Sequence, residues 1–92
     1  MVAKTVTVVN QLGMHARAAA KFVHAAAGFR SRVRVARQGR EMDGKSIMGL
    51  LLLAAARGSI LTITADGSDE ESAVEALTAL VASGFDEEPC NV

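Results

Sequence analysis

Over residues 4–9 the side chains alternate, Val6 and Val8 on one side and Thr5 and Thr7 on the other. A period of two predicts a half-buried strand. After a loop at 10–13 the period changes. Ala19, Phe22, Val23 and Ala26 fall at i, i+3, i+4 and i+7, which predicts a helix over 16–27 with one apolar face, while Arg17, Lys21 and His24 share another. Gly28 is its expected stop. Alternation returns over 31–36, with Val33 and Val35 inward and Arg32 and Arg34 outward. Gln38 and Gly39 then make a turn, and 40–42 form a short return strand. A second helix is expected from Ile47 to about Arg57, ended by Gly58. A fourth strand over 60–65 sets Leu61, Ile63 and Ala65 against Ile60, Thr62 and Thr64. Ser68, Asp69, Glu70 and Glu71 read as a capping box opening a third helix, with Ala73, Val74, Leu77, Leu80 and Val81 as its buried stripe and Gly84 as its end. Residues from Phe85 onward read as a loose tail.

The element order is therefore βαββαβα within a single domain spanning residues 1–92. Each helix has one apolar stripe, so all three are expected to cover one face of an antiparallel sheet and leave the Thr- and Arg-bearing face to water. Half of the 92 residues are hydrophobic, with three Phe and no Trp or Tyr, so any core is built mainly from aliphatic side chains. A domain of this size buries roughly 60% of its unfolded surface, which leaves little stability to spare. The one cysteine, Cys90, makes no internal disulfide. The apolar run at 50–56 falls far short of the roughly 20 residues of a membrane helix, and MVAKTVTVV carries neither a basic leader nor a cleavage site. A monomer of the cytoplasm, away from membranes, is the expectation.

Net charge is zero but unevenly spread: residues 1–45 hold nine Lys and Arg against two acidic residues, and residues 46–92 hold one against eight. This describes either two solvated faces or a basic surface that meets an acidic partner. The Arg-rich hairpin raises the alternative of a small nucleic-acid-binding domain. A sheet that reads single strands normally offers stacking aromatics, however, and these strands have none.

The candidate chemistry lies in Gly13-Met14-His15-Ala16-Arg17. A lone histidine at a helix start is ordinarily a polar surface residue. Here the start of the helix supplies unpaired N–H groups and the positive end of a dipole, a ready anion site. Arg17 adds a guanidinium fork suited to phosphate oxygens, and Gly13 allows a sharp turn before the histidine. These parts favour a neutral, nucleophilic ring and would hold a phosphoryl group on an imidazole nitrogen, labile enough to be passed on. His24 lacks a metal-ligand cluster and reads as a helix-surface residue or a partner contact; no metal or cofactor is expected. On the second helix, Leu50, Leu53 and Ala54 are expected to face the core and Ile47, Met48 and Leu51 to point outward as a docking face. Ser46, directly before Ile47, reads as an N-cap.

Two segments carry a family resemblance. Asn10-Gln11-Leu12-Gly13-Met14-His15-Ala16-Arg17-Ala18-Ala19 resembles the active-site segment of HPr, the histidine phosphocarrier of the bacterial phosphoenolpyruvate-dependent phosphotransferase system, and Gly44-Lys45-Ser46-Ile47-Met48-Gly49-Leu50 resembles that family's regulatory-serine segment. The resemblance spans roughly residues 2–86. It implies an open-faced β-sandwich of four antiparallel strands under three helices. It implies that His15 accepts a phosphoryl group on Nδ1 from phosphorylated enzyme I and donates it to an EIIA-type domain. Arg17 would stabilise the phosphoryl group, and Ser46 would be the target of an HPr kinase/phosphorylase. The chain would be a phosphocarrier, not an enzyme, docking through Ala16, Ala20, Lys21, His24, Lys45, Ile47, Met48 and Leu51. Many members have Pro where this chain has Ala18; Ala is the best helix former, so the helix is expected to survive. The segments Leu12-Gly13-Met14 and Ser83-Gly84-Phe85-Asp86-Glu87-Glu88 resemble the nitrogen-related paralogue more than the sugar-transport one. A regulatory member without sugar transport is therefore an alternative, as is one that acts only by binding its targets.

Overall fold

A computed structural model describes residues 1–86. Residues 87–92 of the expected tail, Cys90 among them, lie outside the described residues. The elements are β1 (Val2–Thr7), α1 (Ala16–Ala27), β2 (Arg32–Arg37), β3 (Arg40–Asp43), α2 (Ile47–Leu52), β4 (Ile60–Asp66) and α3 (Glu70–Ala82). The order is the one the side-chain periods predict.

Among the described residues, the four strands form one sheet in the order β1-β4-β2-β3 with every pairing antiparallel. Val6 pairs with Leu61, Ile63 with Val35, and Val35 with Met42, so one face is apolar across the sheet. The other face carries Thr5, Thr62, Ala36 and Glu41 in one row and Ala3, Thr64, Arg34 and Asp43 in the next. Arg34 and Glu41 form an exposed ion pair at 3.2 Å. The three helices cover the apolar face. Phe22 of α1, Leu50 and Leu53 at α2, and Leu77 and Val81 of α3 are fully or almost fully buried with Val33, Val35, Leu61 and Ile63. Burying each such side chain contributes on the order of 1.5–3 kcal/mol.

The structure corrects the sequence reading at several places. The first strand begins earlier, at Val2, and ends at Thr7. Val8 leaves the ladder to exchange hydrogen bonds with residues 58 and 59: its N–H donates to Ser59 O (2.8 Å), and its carbonyl accepts from Gly58 N–H (2.7 Å). The second helix stops at Leu52, not near Arg57, because Ala54 takes a positive φ of 51°. The carbonyl of Leu53 accepts from the Arg37 guanidinium (3.1 Å). Ala54 is thereby exposed, while Leu51 packs against the core. A helix packed both on the sheet and beside α1 buries a wider sector than a single stripe.

Ser68 does not cap α3. Asp69 is the N-cap residue, and its carboxylate accepts from Arg30 N–H, Ser31 N–H and the Ser31 hydroxyl on the neighbouring loop. Those donors hold Asp69 well below the ordinary carboxylate range, at about 2, the Ser31 hydroxyl contributing most. Glu70 instead reaches back to Gly67 N–H (3.1 Å). Phe85 is fully buried, since the turn after α3 folds it inward: Phe85 N–H donates to Leu80 O (2.9 Å), and residues 84–86 all have positive φ.

Candidate functional site

The site is built on a short loop that ends in a helix. Asn10 Nδ2 donates to Gly13 O (2.8 Å), and Gly13 N–H donates to Asn10 O (3.1 Å), closing a tight turn. Met14 N–H then donates to Ala55 O (2.8 Å), which fastens this turn to the segment after α2. Gly13 has a φ of +67°, and a Cβ placed on it would lie 2.5 Å from Ala55 O. Both the left-handed backbone and the close approach require glycine there. Met14 is buried as the anchor, and His15 comes next, partly exposed, as the N-cap of α1.

The capping contact fixes the chemistry of the ring. Arg17 N–H donates to His15 Nδ1 at 3.2 Å. A donor aimed at Nδ1 needs a lone pair there, so the proton of the neutral ring belongs on Nε2. The expected nucleophilic nitrogen is thus unprotonated and held against the N-terminus of a 12-residue helix with no acidic residue in its first turn. The Arg17 side chain is exposed at the same helix start. Ala18 is fully buried inside α1 and does not disturb the cap.

Around this point the outer face of α1 presents Ala16, Ala20 and His24, all exposed, and Lys21, partly buried. The ammonium of Lys21 donates to Phe85 O (2.8 Å), and that of Lys45 donates to Phe29 O (2.8 Å). Both lysines therefore tie elements together in addition to bringing charge. Ser46 is the N-cap of α2, its hydroxyl accepting from Gly49 N–H at 3.0 Å. Ile47 and Met48 project into solvent at 42% and 68% exposure, as expected. Leu51 does not project as they do; Leu52 takes its place at 53%. Leu12, 72% exposed two residues before Met14, was not singled out by the sequence reading. A loop leucine carries no periodic signal, so only its solvent exposure reveals it.

Fold and site together define a small open-faced β-sandwich that displays one helix-capping histidine beside an exposed apolar patch. The family model described as "PTS HPr component phosphorylation site" matches residues 2–83. The phosphocarrier protein HPr of Cupriavidus necator is 48% identical over 87 residues, covering 95% of this chain and 98% of that protein, and that of Neisseria meningitidis serogroup A is 44% identical over the same shares. Among solved structures, HPr of Thermoanaerobacter tengcongensis superposes with a TM-score of 0.91 at 40% identity, covering 96% of this chain and 99% of that one. HPr of Bacillus anthracis superposes with a TM-score of 0.84 at 45% identity, covering 87% and 95%. The chain belongs to the HPr family of phosphocarrier proteins of the phosphotransferase system. Among the described residues, no helix is long and apolar enough to cross a membrane.

Proposed function

We propose that this chain carries a phosphoryl group on Nδ1 of His15, taking it from phosphorylated enzyme I and handing it to an EIIA-type domain. The observation that supports this reading above all is the contact between Arg17 N–H and His15 Nδ1, which presents an imidazole lone pair at a helix start. In the transfer, that lone pair forms the N–P bond while the bond from phosphorus to the donor breaks and its electron pair leaves with the donor. The Nε2 proton stays on the ring. The Arg17 N–H, released from Nδ1, turns to a phosphoryl oxygen with the other free N–H groups of the first turn. The Arg17 guanidinium screens the charge that develops. The second transfer runs the same steps in reverse toward the acceptor's nucleophile. Donor and acceptor use one docking face: Ala16, Ala20, Lys21 and His24 from α1, Lys45, Ile47 and Met48, with Leu52 in place of the core-packed Leu51 and with Leu12 added by its exposure. Ser46, at the edge of this face, is the regulatory position for an HPr kinase/phosphorylase. The chain acts as a monomer, because the transfer must leave that face open.

The test is incubation with phosphoenolpyruvate and enzyme I, followed by intact mass. One acid-labile phosphoryl group is expected on the wild type and none on His15→Ala. Labelling of His15→Ala at the normal rate would overturn the assignment. Arg17→Ala removes one charge-assisted contact worth about 1.5–3 kcal/mol, a slowing of roughly 10- to 150-fold.

A further inference from the structure

A groove of about 690 Å³ lies at the end of the sheet, between the β2–β3 turn and the segment leading into β4. It belongs to no part of the phosphocarrier site; His15 and the exposed residues of α1 and α2 do not line it. Arg37, Gln38, Arg57 and Ser59 bring its polar groups, and Ala36 and Ile60 are among its apolar ones. Arg37, in the Arg-rich hairpin, is partly buried and built in. Its Nε donates to Ser59 Oγ (3.2 Å) and its Nη1 to Leu53 O (3.1 Å). Among the described residues those two bonds leave Nη2 without a partner, and they fix the guanidinium plane. Ser59 spends an oxygen lone pair on Arg37 Nε, which leaves its hydroxyl proton available.

Charge is the second observation. Arg34 on the same strand is neutralised by Glu41. Among the described residues, neither Arg37 nor Arg57 forms an ion pair, and no carboxylate lines the groove. Arg40 pairs with Arg37 across the hairpin and adds a third positive charge at this end. Two arginines without a carboxylate partner among the described residues line one concave surface, with Arg40 beside it, in a chain whose net charge is zero. Hence the potential is local and not a bulk property. A groove of this volume, with two arginines, no carboxylate and a short apolar wall, matches a small molecule that ends in a doubly charged oxyanion.

We infer that the groove framed by Arg37, Arg57 and Ser59 is a binding site for a low-molecular-mass phosphate monoester. Arg37 Nη2 and the Ser59 hydroxyl take one edge of the phosphate, Arg57 takes the other, and the organic part lies against Ala36 and Ile60.

The test is a titration of the isotope-labelled full chain with glucose 6-phosphate, and separately with inorganic phosphate, at constant ionic strength, followed through amide resonances. Saturable shifts of Gly39, Gly58 and Ser59 are expected, larger with the monoester than with phosphate. Arg57 makes no hydrogen bond or ion pair within the described residues, so Arg57→Gln keeps the fold and should weaken binding at least about tenfold. Arg32→Gln, outside the groove, should leave it unchanged. Shifts confined to the amides of residues 16–18 would place the anion on the start of α1 and overturn the inference. So would non-saturating shifts, equal responses to both probes, or binding that Arg57→Gln leaves intact.

Discussion

Replacing Gly13 by alanine tests how tightly the histidine's support is built. The left-handed conformation at φ +67° costs an L-residue about 1–2 kcal/mol. The new methyl group would also stand 2.5 Å from Ala55 O and 2.9 Å from Ala56 Cα, backbone atoms that cannot swing away like a side-chain tip. The two segments must separate, which breaks or stretches the Met14 N–H to Ala55 O hydrogen bond (2.8 Å), worth about 0.5–1.5 kcal/mol. Together these give a loss of about 1.5–3.5 kcal/mol, or a fall in Tm of roughly 6–28 °C for a domain of this size. Gly39→Ala is the control: φ there is +82°, but nothing lies within 4 Å of the added methyl, so only the conformational cost of about 1–2 kcal/mol remains. Urea unfolding of both variants, with phosphoryl acceptance measured on each, reads the difference. If Gly13→Ala is within about 0.5 kcal/mol of Gly39→Ala, the close approach carries none of the proposed energy, and the support of His15 has been misread.

Asp69 titrates near 2 when folded against 3.8 ordinarily, so its contribution is full above the ordinary carboxylate range and is lost as pH falls toward 2. Asp69→Asn should therefore be less stable than wild type at pH 7 by urea midpoint, and the gap should close by pH 2; a gap independent of pH would refute it. Phe85→Ala should cost about 3–5 kcal/mol by chemical denaturation, the loss expected of a fully buried aromatic side chain. Ser46→Ala should cost about 1 kcal/mol of stability through the lost cap. Ser46→Asp should instead raise the apparent KM of enzyme I for the chain, less so at high salt; equal KM values at low salt would sink the electrostatic account.

Alternation and helical spacing were enough to place every strand and helix, because each element buries one face against a common core. Val33 with Val35 and Ala19 with Phe22 and Ala26 are periodic for that reason. The errors fall where another part of the chain dictates the backbone. The chain is apolar from Leu50 through Ala56, yet the second helix ends at Leu52 because Arg37 takes Leu53 O and because Met14 needs Ala55 O. The sequence around Ser68 reads as a capping box, but Asp69 is drawn to the loop at Ser31. Gly28 does end α1, though in a right-handed conformation at φ −75° that local sequence does not reveal. For the site, Gly13, His15 and Arg17 were legible as a local motif. The tethering of Lys21 to Phe85 and of Lys45 to Phe29 was not, since each joins residues far apart in the chain.

The position of β4 between β1 and β2 sets the order in which the chain can fold. Val2 waits for Ala65, and Val33 pairs with that same Ala65. Until residues 60–66 exist as a strand, β1 has no neighbour, and the sheet is only the β2–β3 hairpin, which is marginal alone. A chain emerging from the ribosome therefore holds its N-terminal strand unpaired while more than half of the sequence is made. Closure then comes in one late step that zips both sides of β4 at once, a non-local event that favours all-or-none folding at a moderate rate. Shortened chains that stop before β4 should accordingly be captured by chaperones and proteases instead of persisting as folded fragments.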